Sequence, residues 1–453
     1  MLKKALSIFL EKPAFRFLPL LLCFLFFADI PWAVVHERFA KHGLMNNFFL
    51  ASGLVLTFVF LADYGFRHGH SAEKIIRECI YLFLISISAL ILRLTLFDFE
   101  SSDYVAALSK WYDYIKNKGG FAALKEGHFS DYNPTYLYIM AFLTYLPLHK
   151  LYAIKAVSVF FDYFAAAGAY FLLRKKFGRE SFRALAGFSL VLLAPTILLN
   201  GSLWAQCDVI YSSFLLWAIY FYVYFSPVNP RKGALFCLLF FCLSFTFKLQ
   251  AVFFVPVLFL LYVKGDLNLA DGMMLPFVWF LSVFPNWLLG RDFLNLTLIY
   301  GHQVLNYPFL TLNAANIYQF LPQAPYEIFV KAGIVLTVLS CVIFGIFLFE
   351  KASKKSISDK LILTVALFSL IMIPFLLPKM HERYFFAADL VSIVWVFYFP
   401  RKFYVSIFII TASFCSYVPF LFNADLVPMF IPAILMLCAL AETGFILHRI
   451  VRE

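Results

Sequence analysis

Apolar runs recur from one end of this chain to the other, and most approach or exceed the length needed to cross the roughly 30 Å hydrocarbon core of a bilayer. In lipid a backbone must satisfy its polar groups internally, so such runs fold as helices packed on one another. The pattern predicts an all-α polytopic membrane protein of about 14 crossings, over 14–35, 47–66, 77–97, 152–173, 184–200, 207–225, 233–246, 250–263, 272–289, 328–349, 360–377, 384–399, 403–421 and 427–447. Composition agrees. The chain is 63% hydrophobic and 14% charged, where a soluble chain is about a quarter charged. No large soluble domain interrupts the runs, so residues 1–453 read as a single membrane domain. The first run is too long for a signal-peptide core and lacks a small-residue cleavage site, which predicts a retained helix.

A net charge of +11 would suit a nucleic-acid binder, but the basic residues gather in short loops between apolar runs. Examples are Lys3 and Lys4, Arg174 to Lys176, Arg231 and Lys232, Lys354 and Lys355, and Arg401 and Lys402. Short basic loops mark the cytoplasmic side, and an even number of crossings puts both termini there. The eight cysteines lie mostly inside apolar runs without a CxxC pair, so neither disulfides nor zinc are expected.

Two long segments fall on the opposite, outer face: Asp98 to Leu151, and Arg291 to about Glu327. Within the first, Tyr136 to Leu148 is apolar but too short to span, and Pro134 and Pro147 bracket it. It reads as a re-entrant or interfacial helix. Runs 233–246 and 250–263 are short for a crossing, as broken or tilted helices lining a cavity would be.

The same outer face collects polar residues. Asp103 and Tyr104, shortly before Trp111, follow a span; a carboxylate here could take a proton from an acceptor hydroxyl, or simply cap a helix. Asp131 and Tyr132 open the short apolar stretch, where a cap followed by proline is the plainer explanation. A hairpin from Asn200 to Asp208 is explained at Asn200 and Gly201 by a turn, but Gln206 and Asp208 entering the next helix are not. Lys248 and Gln250 lie between two short runs, and a lone outer lysine can snorkel to headgroups. Lys379, His381, Glu382 and Arg383 form a short basic loop against the prevailing charge asymmetry, and Arg and Lys there suit a phosphate. Tyr300, Gln303, Tyr307, Asn313 and Asn316 in the second long segment could hold a sugar or form an interfacial aromatic belt. Lys155 and Asp162, two turns apart on one face of a span, are expected to face the bundle interior and pair with other groups in a structural role.

The order of these groups resembles the C-type (GT-C) glycosyltransferases that use polyprenyl-phosphate sugars. Bacterial relatives of the second mannosyltransferase of GPI-anchor synthesis are the nearer likeness, and the dolichyl-phosphate-glucose glucosyltransferases of lipid-linked oligosaccharide synthesis the more distant. The acidic "DY" followed by tryptophan is Asp103, Tyr104 and Trp111, and "DYPP" becomes D-Y-N-P at Asp131 to Pro134. "WGQxD" is W-A-Q-C-D at Trp204 to Asp208, with Ala205 in place of glycine. "FK-Q" is Phe247, Lys248 and Gln250; "NAPN" is N-A-A-N at Asn313 to Asn316; "HE+" is His381, Glu382 and Arg383. The likeness covers about Asp98 to Asp389 and implies a core of about 77–400, with two extra helices at each end.

That resemblance implies an inverting hexosyltransferase, with mannose or glucose the expected sugar, acting on a lipid-linked or other acceptor at the outer face. Asp103 would be the general base, and His381, Arg383 and Lys248 would hold the donor phosphate. Tyr104, Trp111, Asp131, Tyr132, Gln206, Asp208, Gln250, Gln303, Asn313, Asn316 and Glu382 would contact sugar or acceptor. With side-chain cations at the leaving group no metal or other cofactor is expected, although some relatives use a metal. The expected partners are the polyprenyl-phosphate sugar, a glycan or lipid-linked acceptor and membrane lipids, not nucleic acid. The expected setting is a bacterial-type plasma membrane rather than the endoplasmic reticulum. The competing classes are a flippase of lipid-linked sugars, against which no inverted repeat is visible, and a membrane glycan polymerase or ligase.

Overall fold

The computed structural model describes residues 71–452 apart from 179–180, 306–307 and 353–355. The expected spans 14–35 and 47–66 lie outside the described residues.

Helix α1 (Ser71–Leu94) leads to a π-turn at Tyr104–Leu108, α2 (Ser109–Asn117) and a 3-10 turn at Gly120–Lys125. The short apolar stretch forms α3 (Pro134–Leu143), and Pro134 sits in its first turn, where no N–H is needed. The Asn133 side chain caps it, accepting from the Thr135 amide. Next come α4 (Lys150–Phe177), α5 (Phe182–Leu193) and α6 (Pro195–Leu198), the last running on to Leu203. The expected run 184–200 is bent by 47° at Pro195. Proline pushes the preceding residue out of the helical region, and Ala194 has ψ 127.

Then follow α7 (Asp208–Phe225), α8 (Pro230–Phe247), a 3-10 turn at Leu249–Phe254, α9 (Val255–Val263) and α10 (Met274–Leu288). Two short helices, α11 (Phe293–Thr297) and α12 (Ile299–Leu305), precede strand β1 (Thr311–Leu312). The chain closes with α13 (Tyr326–Phe347), α14 (Asp359–Leu376), β2 (Met380–His381), α15 (Phe386–Tyr398), α16 (Tyr404–Phe422) and α17 (Phe430–Arg452).

Among the described residues seven helices are long and apolar enough to cross a membrane, or eight with the bent pair counted as one span. The protein is therefore a predominantly helical, polytopic integral membrane protein. Several expected crossings are shorter than a span. Leu249–Val263 is a turn joined to a short helix, α10 has 15 residues and α15 has 13. At 1.5 Å per residue, about 20 Å of α15 cannot cross the hydrocarbon core. All of its residues are buried, so protein surrounds it on every side. By contrast, only 22% of the α13 window is buried, and Ile334, Val338, Val342 and Ile343 point outward as a lipid-facing stripe would.

Charge separates the two ends of the bundle. At one end the basic loops meet: Lys176 lies 3.1 Å from Asp359, Arg174 lies 3.3 Å from Glu78, and Lys360 lies over the Phe399 ring. The polar groups singled out above assemble at the other.

Candidate active site

The turn between α14 and α15 is tied down by a two-residue parallel pairing. Thr311 and Leu312 pair with Met380 and His381, the Lys379 amide donates to the Leu310 carbonyl at 2.8 Å, and Asn313 bridges back to His381. The second long outer segment and the His381–Arg383 turn thus form one unit.

Arg383 is the centre of the site. Its Nη1 donates to Glu382 Oε1 at 2.8 Å and lies 3.7 Å from Asp103 Oδ2, while its Nε lies 3.5 Å from Asp208 Oδ2. The guanidinium also covers the Trp204 ring at 5.4 Å. Asp208 is wholly buried and is held from three sides, by Arg383, by Lys248 Nζ at 2.6 Å and by Asn200 Nδ2 at 2.9 Å. Asp103 reaches the group from the first outer segment. Its Oδ2 accepts from the Trp204 indole at 2.9 Å and from Gln206 Nε2 at 2.6 Å. The Asp103 side chain keeps 30% of its surface exposed, so it is the one carboxylate on Arg383 that solvent reaches substantially. Tyr132 donates to Gln206 Oε1 at 3.4 Å, lies under the Lys248 ammonium, and packs against Trp111 with ring centroids 5.1 Å apart.

On the other side of Arg383 is a cleft of about 280 Å³. Its polar lining is Asp131, Tyr132, Lys248, Gln250, Gln303, Lys379, His381, Arg383 and Tyr384; Phe247, Leu249, Val252, Phe253, Ile334 and Leu377 supply most of the apolar wall. Three cations, Lys248, Lys379 and Arg383, face one carboxylate, Asp131, so the cleft suits an anion. Asp103 and Asp208 do not line it; they sit behind the cations.

Burial shapes the ionisation of the loop residues. Desolvation, helped by Arg383 and then Lys248, pulls the His381 imidazole down to about 3. His381 is therefore neutral at ordinary pH and can offer a hydrogen bond rather than a charge. Desolvation pushes the Glu382 carboxyl up to about 7 against the pull of Arg383. It also raises the Asp131 carboxyl.

The backbone is strained at the same place. Among the described residues four non-glycine residues have positive φ, and three of them are Ala205 (68°), Asn313 (54°) and Lys379 (64°). Each lies in or beside a site motif. Asparagine tolerates the left-handed region, but alanine and lysine do so at a cost of about 1–2 kcal/mol. Ala205 takes its positive φ in the turn that aims Trp204 and Gln206 at Asp103.

The fold brings together Asp103, Asp131, Tyr132, Gln206, Asp208, Lys248, Gln250, Gln303, His381, Glu382 and Arg383, with Trp111 joined through Tyr132 and Asn313 through His381. Gln303 does so by donating to the Asp131 carbonyl. Two residues stand apart. Tyr104 is 2% exposed and packs in the apolar core. Asn316 is buried and caps the 3-10 turn at Ile317–Phe320. Tyr307 lies outside the described residues, and Tyr300 donates to the Phe245 carbonyl. Trp204 and Asn200 are site residues to which the sequence reading assigns no role, and Lys379 enters that reading only as part of the short basic loop. Trp204 and Asn200 carried a signal, being polar-capable groups in the same hairpin as Gln206 and Asp208. Among the described residues no group of three His, Cys, Asp or Glu side chains could hold a metal ion.

Compared with known proteins, the chain matches no family model, and no curated protein matches it.

Proposed function

We propose that this protein is an inverting glycosyltransferase that moves a hexose, mannose or glucose, from a polyprenyl-phosphate donor to an acceptor hydroxyl at the outer face of a plasma membrane. The observation that carries this reading is the position of Arg383, which lines an anion-suited cleft on one side and lies 3.7 Å from the partly exposed carboxylate of Asp103 on the other. A donor phosphate in the cleft would put its sugar near Arg383, with Asp103 across from the leaving group. The acceptor oxygen attacks the anomeric carbon, the bond from that carbon to the phosphate oxygen breaks, and the electron pair leaves with the phosphate. Asp103 takes the acceptor's proton. Arg383 and Lys248 stabilise the charge growing on the phosphate, and the His381 N–H adds a hydrogen bond. The apolar wall, with Ile334 of the lipid-facing α13, is compatible with a lipid-borne donor. Both termini and the basic loops are then cytoplasmic.

The test is incubation of purified protein with several polyprenyl-phosphate sugars, with donor turnover followed by mass spectrometry. Arg383→Lys keeps the charge but loses the planar fork, and His381→Ala loses the donor. Both should lower turnover by about tenfold or more, more in kcat than in KM. Near-normal turnover in both would sink the phosphate site and leave transport of a lipid-linked sugar as the reading.

A further inference from the structure

We infer that one face of α4 is a clamp that positions Asp103, with Lys155 and Ser158 as its positioning residues. The face carries Lys155, Ser158 and Asp162, spaced three and four residues apart, so they stand in one row on the helix. Lys155 is fully buried, and its ammonium donates to the carbonyls of Leu96 at 3.0 Å, Phe97 at 2.9 Å and Phe99 at 2.7 Å. Three donors meet three acceptors, so the ammonium is satisfied without a counter-ion. These carbonyls belong to the stretch that leaves α1, and within a few residues that stretch delivers Asp103.

One turn along, the Ser158 hydroxyl donates to the Gln206 carbonyl at 2.6 Å. Gln206 is one of the two donors on Asp103. The hairpin lies directly on this face, because a Cβ added at Gly201 would come within 3.0 Å of the Ser158 Cβ. Ser101 closes the loop between the two halves by donating to the Trp204 carbonyl at 2.7 Å. Asp162 anchors the same face to α1 through Arg93 at 2.9 Å. The helix thus holds the stretch that carries Asp103 through Lys155 and one of its two donors, Gln206, through Ser158, while Ser101 ties the other donor, Trp204, to that same stretch, and such support is how a site side chain acquires a fixed position.

The geometric inference stands without the proposed reaction; its catalytic consequence rests on it. A displacement of about 1 Å at a reacting group can cost about a hundredfold in rate.

The experiment reads the Trp204 indole N–H signal in protein labelled with 15N-tryptophan, assigned by its loss in Trp204→Phe. Asp103→Asn marks where the signal moves when the carboxylate is gone. Lys155→Met should shift it at least halfway toward that position, and Ser158→Ala should shift it in the same direction by less. Lys155→Arg, which keeps donors in a different shape, should fall between wild type and Lys155→Met. A folded Lys155→Met protein with the wild-type Trp204 signal overturns the clamp. Should Lys155→Met fail to fold, an unmoved signal in Ser158→Ala overturns it instead. Turnover measured alongside separates the two ideas, because full activity in Asp103→Asn would sink the proposed reaction while leaving the indole signal to judge the clamp.

Discussion

Two arginines are buried in this protein in opposite ways. Arg93, 0% exposed, meets one carboxylate, Asp162, and its Nη1 donates to the Ala89 carbonyl at 3.2 Å. The charges match one to one and the pair is closed to solvent. Arg383 instead touches three carboxylates, stands beside Lys248, and opens onto a cleft. Strained turns at Ala205 and Lys379 flank it. The first arrangement is balanced in charge and closed to any ligand, with Arg93 Nη2 and Asp162 Oδ1 left without hydrogen bonds. The second sets two cations against three carboxylates and turns the cations, not the carboxylates, toward a space a ligand can enter. Burial of a charge therefore does not by itself mark a functional site; what sets the proposed site apart is the access of its cations to the cleft.

The largest expected effect lies on the closed side. Arg93→Met leaves Asp162 buried without its cation and should cost about 3–5 kcal/mol of stability. Arg93→Met with Asp162→Leu should recover most of that loss. Thermal unfolding of purified single and double variants measures both. A neutral single variant would break the comparison.

On the open side, Asp103→Asn should lower turnover by about a hundredfold or more while leaving the unfolding temperature near wild type. Asp98→Asn and Glu100→Gln are the controls. Asp98 accepts from the Tyr152 hydroxyl, whereas the carboxylates on Arg383 are Asp103, Asp208 and Glu382. Loss of turnover in either control with a healthy Asp103→Asn would assign the base to the wrong carboxylate.

The pH dependence of stability sharpens the contrast further. Glu382 is raised from 4.5 to about 7, so the folded protein holds its proton longer and this contribution is lost as pH rises through that window. His381 is lowered from 6.5 to about 3, so the folded protein refuses a proton and this contribution is lost as pH falls through that window. The two slopes oppose each other where they overlap. His381→Gln should leave stability that falls with rising pH, and Glu382→Gln should leave stability that rises with pH. Unfolding temperatures across the acid range read the slopes, and parallel profiles for the two variants would refute the assignment.

The smallest effect belongs to Ala205→Gly. Relief of an alanine at positive φ is worth about 1–2 kcal/mol, and the added freedom of the unfolded chain takes back about 0.4–1 kcal/mol. A net gain between about zero and 1.6 kcal/mol with unchanged turnover is expected. A loss of stability would mean that the Ala205 methyl packs usefully in its buried position.

The helices around 152–173, 207–225, 328–349, 360–377, 403–421 and 427–447 were legible in the chain, because a long apolar run is a local property and lipid admits few ways to fold it. The cap at Asn133 and the short helix behind Pro134 were legible for the same reason. The polar groups of the site could be singled out, since charged and amide residues at the ends of spans are costly without a partner. What hydropathy alone leaves open is which apolar runs face lipid and which face protein. The run at 384–399 has a span's composition, yet α15 is enclosed, because protein and lipid interiors are alike in excluding water. Tertiary structure alone decided the partners: Trp204 and Gln206 on Asp103, Asn200 on Asp208, and Lys155 on the carbonyls after α1. Those contacts join residues from about eight to more than a hundred positions apart, and the distances between them are set by how the helices pack.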